Sequence, residues 1–533
     1  MVTLLQTGVN LGLTEHRGCN RFEKLNPAEQ KRFVRPRPAE WAGLTGLTAA
    51  AVAIHGYHVG IEDQAIYLPA IVKHLHPSLF PHDAIFFEAQ TRPILLDEFV
   101  AWTVRYAHIP MDWVLLLFHL ATIFILLFAS WRIARRCWND SAAVWAGLAL
   151  VTAMLTLPIA GTSQYIVDQY LHPRALATAL MLIPIADLLP GEHRMRGKKL
   201  LGWCALWFAI AVVLHLQLAV FGLAMIVFLV IPWERWIPAL GIAAFIPPIP
   251  VLGKFLEPGS PAWTEAARTR SQHYLMRWEW YELLGIIAPM FLLWWFGHLA
   301  AGRGQKTLAW LCKRIAAMGT VVLVVGSALI LPPQFERLTP YQPMRMFIYV
   351  YFFLLLIGGG LLGQFLLKRV PWRWVVAFVP MAVGMYVAQV QLFPNTPHIE
   401  WPGQKLNNDW VKAFLWVRDN TPENAYFALN PRYISIEGED YRGFRAWAWR
   451  SQMADYVKDP GVATLVPDLA PEWQRQVHAL DGWNHFTGKD FQRLHDQFGV
   501  DWVIVERQGK EVPSTESLDC AYQNASVNVC RIR

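Results

Sequence analysis

Glu62 and Asp63 stand side by side in Ile54-His-Gly-Tyr-His-Val-Gly-Ile-Glu-Asp-Gln-Ala-Ile-Tyr67, about a helical turn past the first long apolar run of the chain. Carboxylates are costly near lipid, so an acidic pair there marks a working site by default. A carboxylate so placed can accept the proton of an attacking hydroxyl. A like-charged neighbour would raise the pKa of one of the two and suit it to that task. The alternative is that both acids merely cap the helix expected from Gln64, since acids favour a helix N-terminus.

Cations that could hold a phosphate lie elsewhere in the chain. Arg345 closes Leu338-Thr-Pro-Tyr-Gln-Pro-Met-Arg345, at the outer end of an apolar run where the positive-inside bias normally avoids Arg. Its planar fork suits bidentate phosphate binding. Snorkelling, or pairing with Glu336, is the other use for it. Arg270 with His273, Arg174 in Asp168-Gln-Tyr-Leu-His-Pro-Arg174, and His215 are further outer-face candidates. Each of these could instead be satisfied by an acid such as Asp168 or by backbone carbonyls. His74, His76, His82 and Asp83 invite a metal reading, but the prolines between them make the spacing irregular and no ligand pattern is matched. No metal site is assigned.

These residues need a frame, and composition says which kind. Of 533 residues, 54% are hydrophobic and only 16% charged, with 26 Trp, and the mean hydropathy is +0.27. That excludes an ordinary soluble enzyme and reads as an integral membrane protein. A bilayer core asks for about 20 apolar residues per helix, and about eleven such runs emerge. They are 40–57, 112–131, 142–160, 174–190, 200–215, 217–233, 236–252, 283–300, 313–331, 346–367 and 373–393. The stretch 200–233 is too long for one span and reads as a hairpin broken at His215 and Gln217. Pro247, Pro248 and Pro250 predict a kinked helix, and Gly358-Gly-Gly with Gly363 predicts close helix packing rather than a phosphate loop.

Basic residues set the orientation. The N-terminal segment 1–39 and the loops around Arg132, Arg135 and Arg136, around Lys198 and Lys199, around Arg303 and Lys306, and around Lys368 and Arg369 alternate as cytoplasmic segments should. The net charge of +7 is then inner-face charge and calls for no nucleic-acid partner. Residues 1–38 carry no apolar signal region, so the first span is expected to act as an uncleaved anchor. An odd span count carries residues 394–533 across the membrane. Cys520 and Cys530 share that exported tail, where they can either pair across a terminal hairpin or stay free.

Three exported segments can build a site. The first, loop 58–111, predicts two amphipathic helices at the interface, Gln64–Leu75 and Arg92–Tyr106, around a Pro-punctuated turn. The second is 253–282, which holds Arg268, Arg270, His273 and Arg277 among aromatics. The third, the tail, reads as an α/β domain. It shows a helix over Asn408–Asn420, strands over Ala425–Leu429 and Trp502–Glu506, and a helix over Phe491–Phe498.

The acidic pair after the first span, the long amphipathic loop, the many spans and an exported domain opening with Trp416-Val-Arg-Asp-Asn-Thr-Pro-Glu-Asn-Ala425 resemble the GT-C superfamily of polyprenyl-phosphate-dependent glycosyltransferases. The nearest likeness is to bacterial multi-pass members. The resemblance implies an α-helical polytopic membrane protein, with a membrane domain over 40–393 and an extracytoplasmic α/β domain over 394–533, in a bacterial inner membrane. It implies transfer of a sugar from a lipid-linked donor to a glycan, lipid or protein acceptor, with Glu62 or Asp63 as base and the cations above holding donor phosphate. Some members of the superfamily use a divalent cation and others do not, so one at Glu62 and Asp63 is open. Two alternatives stand: a GT-C-like protein that binds lipid-linked glycan without turnover, and a multi-pass transporter. The transporter is disfavoured because internal repeats and mid-membrane charges are missing from the sequence.

Overall fold

The structure, a computed structural model, describes residues 36–190, 197–231, 257–436, 438–507 and 512–533. Helices occupy the apolar runs within them: Pro38–His55, Met111–Cys137, Ser141–Ala153, Pro173–Leu188, the pair Gly197–Leu214 and Leu216–Val230, Trp280–Gly302, Lys306–Ile330, Phe347–Leu362 and Pro371–Leu392. The run 236–252, with its three prolines, lies outside the described residues.

Among the described residues, 6 helical segments are long and apolar enough to cross a bilayer, so the expected count of about eleven is not confirmed. The shortfall has local causes. The run 142–160 stops being helical after Ala153, where Pro158 approaches; proline offers no N–H and restricts the residue before it. The chain from 154 to 172 is irregular and largely buried, a backbone form tolerated at membrane depth only inside protein. Pro173–Leu188 is buried along almost its whole length, so it is a central helix rather than a lipid-facing one. The expected hairpin does break at His215, whose ring accepts from the Leu218 N–H at 3.4 Å and caps the second helix. Close packing at the glycines also holds: a Cβ on Gly359 or Gly363 would stand 2.5 Å from the carbonyl oxygen of Ala146 or Ala142.

The first loop departs from expectation. Gln64–Leu75 is helical as predicted, but every residue from Gln64 to Val72 is buried, so it is a core element and not an interfacial one. The stretch expected as a turn contains a further helix, Ile85–Thr91, and the next helix starts at Leu96 rather than Arg92, spanning Leu96–Ala107. That last helix is the one that keeps large apolar side chains uncovered, with Phe99, Trp102 and Tyr106 exposed on it.

The tail folds around a five-stranded sheet in the order β2-β1-β3-β5-β4. The strands are β1 (Tyr426–Leu429), β2 (Ser451–Gln452), β3 (Trp502–Glu506), β4 (Leu518–Gln523) and β5 (Val527–Ile532). β1 runs parallel to β2 and β3, and the β3-β5 and β4-β5 pairs are antiparallel. Cys520 and Cys530 face each other across β4 and β5 and are bridged. The predicted helix is present as Asp409–Asn420, capped by Asn408, whose side chain accepts from Val411 N–H at 2.9 Å.

Gln64–Leu75 is buried between the membrane-domain core, its neighbouring loop helix Leu96–Ala107 and this tail. Arg445 donates from Nε to Asp83 at 2.5 Å and clasps Asp459 with both other nitrogens at 2.8 and 3.0 Å. Arg442 pairs with Glu400, which also binds His58 at 2.8 Å. Burial works to raise the Glu400 pKa, but Arg442 and His58 outweigh it and hold the carboxyl at about 2. Buried ion pairs held by several hydrogen bonds at once favour one docking geometry. Asp83 is thus an anchor and no metal ligand; His82 stacks on Tyr426 and His76 lies against Trp449.

Candidate functional site

The acids are presented by a strained turn. Gly60 has φ +71 and packs so tightly under the Trp447 indole of the tail that a Cβ would reach Nε1 at 2.2 Å. Ile61 bridges to Arg442 and the Glu62 N–H donates to the Tyr441 carbonyl at 3.1 Å. Glu62 itself adopts φ 48, a left-handed conformation that costs a non-glycine residue of order 1–3 kcal/mol and clusters at functional sites. Asp63 follows at the start of Gln64–Leu75, yet its side chain accepts no capping hydrogen bond from that helix. The capping reading of the pair therefore fails for Asp63.

Its oxygens are held by other groups. Lys458 Nζ donates to Asp63 Oδ1 at 3.1 Å and to Glu62 Oε2 at 2.5 Å. His172 Nε2 meets Asp63 Oδ2 at 3.2 Å, and Arg174, itself bonded to Asp168 at 2.6 Å, approaches the same oxygen at 3.8 Å. Burial alone would push the Asp63 pKa up, but Lys458, His172 and Arg174 hold it well below the usual carboxylate range. The expectation that one acid of the pair is raised is corrected for Asp63: three cation-bearing or donating partners outweigh one anionic neighbour. Lys458 shifts the opposite way. Burial disfavours its charge, yet Glu62 and Asp63 raise its pKa.

Asp63, Lys458, Arg345, Arg270, His273 and His215 line one cavity of about 480 Å³. Arg345 has no hydrogen bond or ion pair to its guanidinium among the described residues, and its Nε is buried without a partner. Glu336 does not serve it, being bound to Tyr274 at 3.0 Å with Arg268 at 3.8 Å. Arg270 donates to the Val457 carbonyl at 2.5 Å, leaving its Nε unpartnered. His273 is buried beside both arginines; burial first, and then Arg270 and Arg345, push its pKa down to about 2, so it stays a neutral imidazole. The Gln342 amide meets its Nε2 at 2.8 Å, and Nδ1 has no partner. The rest of the lining includes the apolar side chains Ile66, Ile94, Leu216, Val220, Phe221 and Leu465.

Glu62 and Arg174 do not line this cavity but stand behind Asp63, the first through Lys458 and the second beside Asp168. Lys458 was missed by the sequence reading. It sits in Tyr456-Val-Lys-Asp-Pro460 of the tail, with no motif to mark it. His172 lay inside a stretch singled out only for its Arg. A divalent cation does not fit between Glu62 and Asp63, because an ammonium with only 6% of its side chain exposed occupies that position. Two like charges cannot share it.

No family model matches the chain, and no curated protein matches it either. Among solved structures, the Archaeoglobus fulgidus oligosaccharyltransferase tethered with an acceptor peptide is similar over 87% of this chain and 68% of that one, with 11% identity and a TM-score of 0.47. Its apo form gives 10% identity and 0.45 over 87% and 69%, and its zinc and sulfate complex 12% and 0.39 over 87% and 68%. The similarity is one of general layout, and the reading of function rests on the cavity.

Proposed function

We propose that this chain is a membrane glycosyltransferase that moves a sugar from a polyprenyl-phosphate donor to an acceptor hydroxyl or amide outside the cytoplasm. One observation carries the reading. A single cavity is lined by arginines with unpartnered guanidinium nitrogens, by several apolar side chains, and by one fixed carboxylate. An anionic headgroup with a lipid tail matches the first two features, and a nucleophile bearing a proton matches the third.

In this reading Arg345 and Arg270 bind the phosphate oxygens, and the apolar side chains take the first units of the lipid. The acceptor's proton-bearing atom hydrogen-bonds to Asp63 and attacks the anomeric carbon. The bond from that carbon to the phosphate oxygen breaks, and the phosphate leaves with the electron pair. Asp63 is a weak base because its cationic neighbours stabilise the carboxylate, so it orients the nucleophile and takes the proton late. The leaving phosphate, with a second pKa near 6, is the better final sink for it. His273, kept neutral, can donate to the phosphate without adding charge. Arg174, His172 and Lys458 position Asp63.

The proposal includes a topology in which residues 1–39 are cytoplasmic, 40–393 form the membrane domain and 394–533 are exported. The alternating basic loops and the bridged Cys520 and Cys530 support it, because disulfides persist in oxidising compartments. The test of function is transfer from a labelled polyprenyl-phosphate sugar by purified protein in nanodiscs. Asp63→Asn should retain donor binding and lose transfer. Transfer at the wild-type rate by Asp63→Asn would remove the carboxylate from the chemistry.

A further inference from the structure

The first loop holds a second acidic pair, Asp97 and Glu98, in the opening turn of Leu96–Ala107, facing His74 near the end of Gln64–Leu75. We propose that His74, Asp97 and Glu98 bind a divalent transition-metal ion, zinc in the first instance, which ties these two helices together. The site is separate from the cavity above and does not depend on the glycosyltransferase reading.

Three observations converge on it. The ligand atoms all lie within 4.8 Å of one another. His74 Nε2 is 3.4 Å from Asp97 Oδ2 and 3.8 Å from Glu98 Oε1. Those separations are longer than good hydrogen bonds of about 2.7–3.2 Å. The first equals the edge of a tetrahedron around an ion, about 3.4 Å when each bond is about 2.1 Å, and the second needs a closing movement of a few tenths of an ångström. The third observation concerns what the acids lack. The Asp97 side chain is 3% exposed and lies within hydrogen-bonding reach of the Glu98 carboxyl, but no donor from any other side chain reaches its Oδ1 or the buried Glu98 Oε2.

Several other buried acids have a guanidinium at hand, as Asp83 has Arg445, Asp168 has Arg174, Asp187 has Arg132 and Glu400 has Arg442, while Asp440 and Asp455 accept from backbone N–H groups and from Thr396 or Gln452. Among the described residues no Lys or Arg forms an ion pair with Asp97 or Glu98. Arg105 is close but donates to the His74 carbonyl at 3.0 Å. Acids in a first helical turn do gain from the helix dipole, but that gain does not employ the imidazole and supplies no cation to two carboxyls in contact. Two carboxylates and a neutral imidazole carry the charge that a divalent cation balances, and this donor set suits zinc. The His74 ring is 43% exposed, which gives an entry path and leaves room for a water as fourth ligand.

The tie closes the loop between Leu75 and Leu96, and that loop supplies Gln90, Pro93 and Ile94 to the wall of the cavity. Metal there stiffens one side of the cavity without touching its chemistry.

The experiment uses the full-length protein in detergent, stripped with chelator and titrated with Zn2+ by calorimetry, with Co2+ absorption to report tetrahedral geometry. About one equivalent of tight binding and a rise in Tm with Zn2+ are expected. Asp97→Asn and His74→Gln, each checked for a monodisperse elution profile, should bind Zn2+ at least tenfold more weakly and lose the rise. His76→Ala serves as the control for adventitious histidine binding and should behave as wild type. Wild-type binding that is absent, or equal in Asp97→Asn and His74→Gln, overturns the proposal whatever the transfer assay shows.

Discussion

Glu62 and Asp63 begin one helix of the first loop, Asp97 and Glu98 begin another, and the two helices pack together. The surroundings of the two pairs are opposite. At the first pair the tail inserts Lys458 between the carboxylates, with His172 and Arg174 behind. At the second pair only His74 approaches. An adjacent pair of acids therefore says little about charge balance until the groups folded against it are known. Where the protein brings its own ammonium, a metal is excluded by repulsion. Where it brings only an imidazole, two carboxyls in contact are left without a cation of the chain's own.

The comparison breaks most visibly at Asp63. Asp63→Asn should lower transfer by about 10²-fold or more, the usual worth of a carboxylate at a proton transfer, whereas Asp97→Asn should leave the chemical step within a few-fold of wild type. Equal losses in single-turnover rates would erase the distinction between the pairs. Next come the arginines of the cavity. A charge-assisted bond contributes roughly 1.5–3 kcal/mol, so Arg345→Ala should weaken binding of the polyprenyl-phosphate donor at least about tenfold. Arg345→Lys, which keeps charge but loses the fork, should weaken it less. Unchanged binding in Arg345→Ala would make this residue a snorkelling side chain.

Lys458 sharpens the contrast through pH. The folded pKa of Asp63 is depressed, so its stabilising contribution is complete above the unfolded value near 3.9 and is lost as pH falls through the lower folded value. The Lys458 pKa is raised, so its contribution is complete below about 10.4 and is lost as pH climbs through the higher folded value. Between about pH 5 and 9 the clamp should add no slope to thermal stability. In Lys458→Met the acidic limb of transfer should move up by roughly one pH unit or more, since a close opposite charge lowers an acid by about that much. Stability should fall by less than the roughly 3–5 kcal/mol of a fully buried pair, because Glu62 and Asp63 remain partly exposed. An unmoved limb would mean that Lys458 does not tune Asp63. The smallest effect expected is at the second pair, where Zn2+ should raise Tm by a few degrees in wild type and not in His74→Gln.

Much of the site was legible in the chain because charge is rare beside apolar runs. Asp63, Arg345, Arg270, His273 and His215 stand out against their surroundings, and the cavity collects all of them. Lys458 was not legible, since it sits in a polar tail where a lysine is unremarkable and meets Asp63 across 395 positions of sequence. The His74 site was hidden for a similar reason: the sequence grouped His74 with His76, His82 and Asp83, whereas folding turned Asp83 to Arg445 and brought Asp97 and Glu98 to His74. The burial of Gln64–Leu75 escaped because an amphipathic pattern shows that one face is polar, not whether that face meets water or the buried ion pairs of a docked domain.

The sequence by itself determined that the chain is a multi-pass apolar protein with a polar α/β tail, and which ionisable residues flank its apolar runs. Composition and spacing suffice for that, because transfer of side chains between water and lipid is a local property of each segment. Only the tertiary structure decided which charge answers which, because the low-dielectric contact that fixes a buried carboxylate's partner forms between segments far apart in the chain, after the tail has folded back onto the first loop.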